Sequence, residues 1–143
     1  MLFDKRPQRI RRLLIVEDEA LIAFDNEHAL TEAGYQIVAT VDRVADAIAV
    51  IQSEPLDLVL ADVKLTDGDG IAVAAAAQER GVPVLFVSGH CPVKARKLAV
   101  GCLAKPYTQR DLLRAIAAVE EHLAGKSPKR LPPGLSLYEN IPN

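Results

Sequence analysis

The stretch of residues 56–68 constrains the fold more than any other part of the sequence. It is a short apolar run that ends at Asp62 and is followed by the turn-forming pair Asp67-Gly68. An apolar run of this length between turn signals is typical of a strand that is buried on both faces. Such strands belong to parallel sheets covered by helices, and ligands bind beyond their carboxyl ends. Taken alone, Asp62 is better explained as a turn carboxylate that binds nearby backbone amides, and the rest of the chain changes that balance.

Similar apolar runs alternate with segments of helical spacing along the chain. The predicted strands cover residues 11–16, 35–41, 56–61, 82–87 and 101–104, and the predicted helices cover residues 20–33, 44–52, 71–80, 92–100 and 109–124. About five strands thus alternate with about five helices, which predicts an α/β fold. We expect a doubly wound, five-stranded parallel sheet with helices on both faces.

Composition excludes several classes of protein. Half of the 143 residues are hydrophobic but only 4 % are aromatic, so the core must be built from Val, Leu, Ile and Ala. The formal charge of −2 gives no general attraction to nucleic acid or to membranes. No apolar stretch approaches the roughly 20 residues that a membrane span needs, and the basic N-terminus lacks the apolar region of a secretory signal.

The chain divides into three parts. Residues 1–10 are a basic lead-in, residues 11–124 form the folded domain, and residues 125–143 are a Pro-rich tail. Two interpretations of the tail stay open. It is a frayed terminus, or its apolar segment 135–138 docks on its own domain or on a neighbouring chain. The two cysteines, Cys91 and Cys102, lack CxxC spacing and are interpreted as reduced thiols of a cytoplasmic protein.

Polar residues follow the predicted strands at one edge of the sheet: Glu17, Asp18, Asp62, Ser88 and Lys105. Each has an ordinary alternative as a helix cap, a turn residue or a solvated charge, but their joint occurrence at strand ends favours a site. Clustered carboxylates repel one another unless a cation neutralises them. Mg²⁺ prefers such oxygen ligands. The set therefore predicts a phosphoryl-transfer site in which a carboxylate is the nucleophile.

Four segments together resemble the signature of response-regulator receiver domains of two-component signalling. They are residues 13–19 (Leu-Leu-Ile-Val-Glu-Asp-Glu), 60–65 (Leu-Ala-Asp-Val-Lys-Leu), 86–89 (Phe-Val-Ser-Gly) and 104–107 (Ala-Lys-Pro-Tyr). The resemblance spans residues 11–124 and implies the flavodoxin-like receiver fold. It implies that Asp62 is the phospho-acceptor and that Mg²⁺ is bound by Asp18, Asp62 and the backbone carbonyl of Lys64. Glu17 would act on the ion through water.

The same resemblance assigns the remaining polar residues. Ser88 is the switch hydroxyl that turns toward the phosphoryl group, Lys105 pairs with a phosphoryl oxygen, and the Lys105-Pro106 peptide is cis. The family usually has Tyr or Phe where Cys102 stands, so we expect the signal to travel through Ser88 and residues 89–92. His90 is interpreted as a surface loop residue, and His28 and His122 are given no role.

The implied function is that of a single-domain response regulator located in the cytoplasm. Its partners are a sensor histidine kinase or phosphotransfer protein and a downstream protein target, unless it serves as a phosphate shuttle or sink. Residues 83–90 resemble the "FAT GUY" group of single-domain receivers. No DNA-binding domain is expected, homodimerisation stays open, and the chain catalyses only its own phosphoryl transfer and dephosphorylation. The alternative is a Mg²⁺-dependent phosphatase of similar topology, which would need a carboxylate where Lys64 stands.

Overall fold

The computed structural model describes residues 9–139, so the predicted lead-in of residues 1–10 lies almost wholly outside the described residues. The strands are β1 (Arg12–Val16), β2 (Gln36–Val41), β3 (Leu58–Ala61), β4 (Lys64–Leu65), β5 (Gly68–Asp69), β6 (Val84–Ser88), β7 (Gly101–Ala104) and β8 (Leu135–Leu137). The helices are α1 (Ala20–Glu32), α2 (Val44–Ser53), α3 (Gly70–Glu79), α4 (Gln109–Leu123) and a short 3₁₀ helix (Val93–Lys97). Within residues 9–139, no helix combines the length and the apolar character needed to cross a bilayer.

The central sheet has the strand order β2-β1-β3-β6-β7-β8. Its first five strands are parallel, which confirms the predicted doubly wound sheet, and β8 is antiparallel to β7. The chain moves outward from β1 to β2 and then returns to β3 on the other side of β1. This reversal makes the carboxyl ends of β1 and β3 a topological switch point, where open α/β sheets bind ligands.

Alternate residues of β1 build two separate halves of the core. Leu13 and Ile15 pack with apolar residues of α1 and α4 on one face of the sheet. Leu14 and Val16 pack with residues of α2 and α3 on the other face. All four side chains are fully buried. The continuous apolar sequence of this strand therefore reflects burial on both faces.

The segment after β3 turns sharply and starts the next helix. Strands β4 and β5 form a small hairpin, and the Asp67 carboxylate accepts a 2.7 Å hydrogen bond from the amide of Val44 at the start of α2. Asp69 caps α3 by accepting a 3.0 Å hydrogen bond from the amide of Ile71. A Cβ atom at Gly70 would collide with the carbonyl oxygen of Asp62, so glycine lets this helix begin against the end of β3.

The helix predicted for residues 92–100 is wrong in type and length. The chain forms a 3₁₀ helix from Val93 to Lys97. Its end is set by the sheet, because the Val100 amide donates a 2.8 Å hydrogen bond to the carbonyl of Val84. A regular helix through these residues would withhold that amide from β6.

The expectation that Cys91 and Cys102 are reduced thiols is also wrong, because the structure joins them in a disulfide. Cys102 lies on β7 opposite Phe86 of β6, and the loop that follows β6 returns over it. The two Cα atoms are 6.3 Å apart, within the upper limit of about 6.8 Å for a disulfide. A sequence spacing of eleven residues gave no sign of this proximity.

Of the two interpretations of the tail, the structure shows docking on its own domain. Strand β8 pairs with β7, and the Tyr138 amide donates a 2.8 Å hydrogen bond to the Val100 carbonyl. Nε2 of His122 on α4 lies 2.6 Å from the Tyr138 carbonyl oxygen, and the Arg96 guanidinium lies 6.0 Å from the centre of the Tyr138 ring. The tail thus adds an edge strand to the sheet and contacts both flanking helical segments.

We predict that Gly101→Ala detaches β8, since a Cβ atom at Gly101 would collide with the carbonyl oxygen of Ser136. Hydrogen exchange at the amides of residues 136–138 should accelerate to the rate of a free peptide while the exchange of β1 and β3 is unchanged. Gly89→Ala is the matched control because a Cβ there meets nothing within 4 Å. Equal tail protection in the two variants would contradict the prediction.

Candidate functional site

The carboxyl ends of four parallel strands bring the predicted polar residues to one edge of the sheet. Backbone hydrogen bonds between neighbouring strands fix their relative positions. The Asp62 amide donates to the Val16 carbonyl at 2.9 Å, and the Lys105 amide donates to the Ser88 carbonyl at 2.8 Å. The sheet itself therefore sets the geometry of this edge, and Asp18, Asp62, Ser88 and Lys105 line one open cleft.

Glu17, Asp18 and Asp62 form an acidic cluster in which one carboxylate oxygen of each residue lies within 4.8 Å of the others. Glu17 and Asp62 are buried, at 2 % and 6 % exposure, while Asp18 is exposed. Burial raises the pKa of Glu17, the nearby Asp62 charge acts in the same direction, and bonds to Lys105 and to the Glu19 amide oppose both. The cluster thus keeps two carboxylates largely out of water.

The sign of the resulting pH dependence follows from that shift. The folded-state pKa of Glu17 lies above its ordinary value of 4.5, so the folded chain binds this proton before the unfolded chain does as the pH falls. The stabilisation from protonated Glu17 is complete below pH 4.5 and is lost as the pH rises through the folded-state pKa. A cation at the cluster acts in the opposite direction, since it favours the charged carboxylate.

Lys105 is the counter-charge of the cluster. Its Nζ lies 2.8 Å from Glu17 Oε1, 2.8 Å from Asp62 Oδ2 and 3.6 Å from Glu19 Oε1. Burial by itself would lower the pKa of Lys105, but the bonds and charges of Asp62 and Glu17 outweigh it and the pKa is raised. The ammonium is therefore charged throughout the physiological range, and it holds one oxygen of Asp62 in place.

The donors of the cluster fit a small divalent cation. Within residues 9–139, no well-directed hydrogen bond reaches the buried Glu17 Oε1, whose 2.8 Å contact with Lys105 is an ion pair. Asp62 Oδ1 accepts a long hydrogen bond, 3.2 Å, from the Lys64 amide. Carboxylate oxygens with spare lone pairs are the ligands that Mg²⁺ selects, and one or two of them suffice when waters and phosphate oxygens complete the shell.

Ser88 is the last residue of β6 and lines the same cleft, at 5 % exposure. Its hydroxyl donates to the His90 carbonyl at 2.9 Å and accepts from the His90 amide at 3.2 Å. The hydroxyl therefore stabilises its own loop, whereas Lys105 contacts Asp62 directly. The Lys105-Pro106 peptide is cis, as the resemblance implied.

Three contributors to the site were given no role in the sequence analysis. Tyr107 is largely buried and donates a 3.0 Å hydrogen bond to the Asn26 side chain, which ties the Lys105 loop to α1; burial raises the pKa of Tyr107. Thr66 donates to Asp18 at 3.4 Å. Gly70 permits the close approach of α3. The sequence offered a signal for Tyr107, because it is an aromatic residue directly after Lys105-Pro106.

Comparison with known families matches residues 13–117 to the response regulator receiver domain. The transcriptional regulatory protein PdtaR of Mycobacterium tuberculosis is 37 % identical over 112 residues, which cover 74 % of this chain and 55 % of PdtaR. The response regulator receiver protein CpdR of Brucella abortus is 31 % identical over 114 residues, covering 75 % of this chain and 94 % of CpdR.

Solved structures show the same fold. The CheY-like response regulator receiver domain protein from Methanospirillum hungatei superposes with a TM-score of 0.72 at 26 % identity, over 79 % of this chain and 95 % of that one. The chain spans about half the length of several curated relatives that it matches, including PdtaR.

We predict that Asp18→Asn raises the melting temperature in the absence of Mg²⁺, because it removes one of three crowded charges. In the unaltered chain, Mg²⁺ at tenfold above its Kd should stabilise the fold by about 1.4 kcal/mol, or roughly 3–6 °C in melting temperature. Asp18→Asn should abolish this gain, whereas Asp25→Asn, an exposed carboxylate on α1, should retain it. Thermal melting with and without Mg²⁺ tests this, and a melting temperature that Mg²⁺ moves equally in both variants would contradict it.

Proposed function

The chain belongs to the response regulator receiver domain family of two-component signalling, and from that premise we propose that Asp62 accepts a phosphoryl group from a histidine kinase or a phosphotransfer protein. One observation carries the proposal. The Asp62 carboxylate is nearly buried at a strand end, between two acidic side chains and the Lys105 ammonium. This is the arrangement that phosphoryl transfer to a carboxylate needs.

The reaction moves a phosphoryl group from a histidine nitrogen to an oxygen of Asp62. The P–N bond breaks, the P–O bond of an acyl phosphate forms, and the electron pair of the broken bond stays on the histidine nitrogen. Lys105 Nζ, which is 2.8 Å from Asp62 Oδ2, holds the nucleophile and then pairs with a phosphoryl oxygen. Glu17, Asp18 and Asp62, with the Lys64 carbonyl, would hold a Mg²⁺ ion that neutralises the incoming negative charge.

Phosphorylation adds about −1.5 to −2 charge to the cleft at neutral pH. We propose that Ser88 then exchanges its hydrogen bonds with His90 for one to the phosphoryl group. We expect the loop of residues 89–92 to move with the hydroxyl, because the bonds to His90 help to hold the loop in its present form. The signal is a shift between two conformations of this loop.

The output is a further part of the proposal. CpdR, which this chain matches over almost its whole length, supports a single-domain regulator that acts by binding a downstream protein or by passing on its phosphoryl group. We place this activity in the cytoplasm, where sensor kinases present their phosphohistidine. The chain turns over no external substrate in this proposal. The phosphatase alternative finds no support, since Lys64 stands where a second carboxylate is required.

We predict that Asp62→Asn abolishes phosphorylation, because the amide nitrogen and oxygen are poor nucleophiles, and that the fold is kept. Intact mass after incubation with acetyl phosphate and Mg²⁺ measures the adduct. Asp69→Asn is the matched control: it makes the same chemical change nearby, and Asn caps helix α3 as well as Asp does. An adduct of equal yield in both variants would remove Asp62 from the role.

A second prediction concerns the switch. Amide chemical shifts on phosphorylation should change most for residues 88–91, and Ser88→Ala should reduce these changes while Asp62 is still phosphorylated. Ser53→Ala is the control, since that hydroxyl donates within α2 to the Ala49 carbonyl. Shifts confined to the residues beside Asp62 would rule out a propagated switch.

A further inference from the structure

The disulfide between Cys91 and Cys102 lies directly behind the loop that the proposed switch must move. Cys91 follows Ser88 by three residues, and Gly89 and His90 are the whole of the segment between the end of β6 and the bridge. The bridge therefore holds the far end of a very short loop. The Ser88 hydroxyl is held at the near end by its two hydrogen bonds to His90.

Cys102, the other cysteine of the bridge, is held rigidly in the sheet. Cys102 is 1 % exposed and lies in the middle of β7. It faces Phe86 of β6 on one side and Ser136 of β8 on the other. Because strands on both sides hold Cys102, the bridge fixes Cys91 to the sheet and does not move with the loop.

The loop of residues 89–92 borders open space into which it can move once the disulfide is opened. A Cβ atom added at Gly89 would meet nothing within 4 Å, and Gly89, His90 and Pro92 line the open cleft beside Asp62. The bridge and the Ser88 hydrogen bonds restrain this loop at its two ends, and Cys91 also packs against the core.

We propose that Cys91 and Cys102 form a redox-responsive site that clamps the Ser88 loop when oxidised and releases it when reduced. The proposal rests on the phosphorylation of Asp62 proposed above and names a control of that same site. Disulfides in cytosolic proteins are usually transient, catalytic or redox-sensing, because thiol reductants of that compartment break them. A bridge on the switch loop of a cytoplasmic regulator is therefore positioned to respond to the redox state of the surrounding thiols.

The exchange chemistry is that of low-molecular-weight thiols. Cys91 is partly exposed and Cys102 is buried, so the thiolate of the reductant attacks the sulfur of Cys91. The S–S bond breaks, its electron pair leaves with the Cys102 sulfur, and that thiolate takes a proton. A second reductant thiolate then attacks the mixed disulfide, releases the Cys91 thiolate and forms the oxidised reductant. A disulfide oxidant of the same class reverses both steps.

The test compares the full chain in its oxidised form and after dithiothreitol, with the redox state verified by alkylation and intact mass. Reduction should accelerate hydrogen exchange at the amides of residues 89–91. It should also raise the fraction phosphorylated by acetyl phosphate and Mg²⁺, measured far from saturation, by about tenfold or more, because one hydrogen bond to a charged group contributes at least about that factor. The double variant Cys91→Ser, Cys102→Ala should behave as the reduced chain with or without dithiothreitol, which controls for effects of the reductant on the donor.

Three results overturn the clamp: a bridge that dithiothreitol does not open in the folded chain, loop exchange that is the same in both redox states, or, in a chain that the donor does phosphorylate, a phosphorylated fraction that does not differ between them. A loop that opens on reduction in a chain that no donor phosphorylates in either state would support the clamp on the loop. That outcome would overturn the proposed function instead.

Discussion

The pairing of one ammonium group with two carboxylates organises the whole edge of this sheet. Lys105 comes from the end of β7 and reaches Glu17 at the end of β1 and Asp62 at the end of β3, each at 2.8 Å. Without Lys105, two buried carboxylates would share a small volume with no counter-charge beside them. The ammonium thus supplies the counter-charge of the two carboxylates, and it also links the ends of strands that are not neighbours in sequence.

Local sequence patterns predict much of this arrangement. The apolar runs that end in Glu17, Asp62 and Ser88 specify buried parallel strands, and a parallel sheet places all their carboxyl ends on one edge. Local patterns do not predict which residues of different strands and loops come into contact. The approach of Cys91 to Cys102, the need for glycine at position 70, and the capping of α2 by Asp67 depend on which strands and loops become neighbours in space.

For the tail, too, local sequence predicts the conformation but not the position in the fold. Its prolines exclude a helix and its apolar residues indicate an extended segment, but only the folded domain decides where that segment binds. Strand β7 would otherwise be an unpaired edge, which sheets usually protect. Gly101 supplies the space for a close neighbouring backbone, and His122 and Arg96 contact Tyr138 from either side. The edge strand is therefore covered by the chain's own tail.

Strand β7 connects features that are separate along the sequence. In four residues it carries the glycine against which β8 packs and the cysteine that holds the Ser88 loop, and it ends directly before the lysine that binds Asp62. A short strand with hydrogen bonds on both sides is held firmly in the sheet. The backbone of Lys105, the cysteine of the bridge and the tail strand are therefore fixed relative to one another. The cleft and the far edge of the sheet share one rigid support.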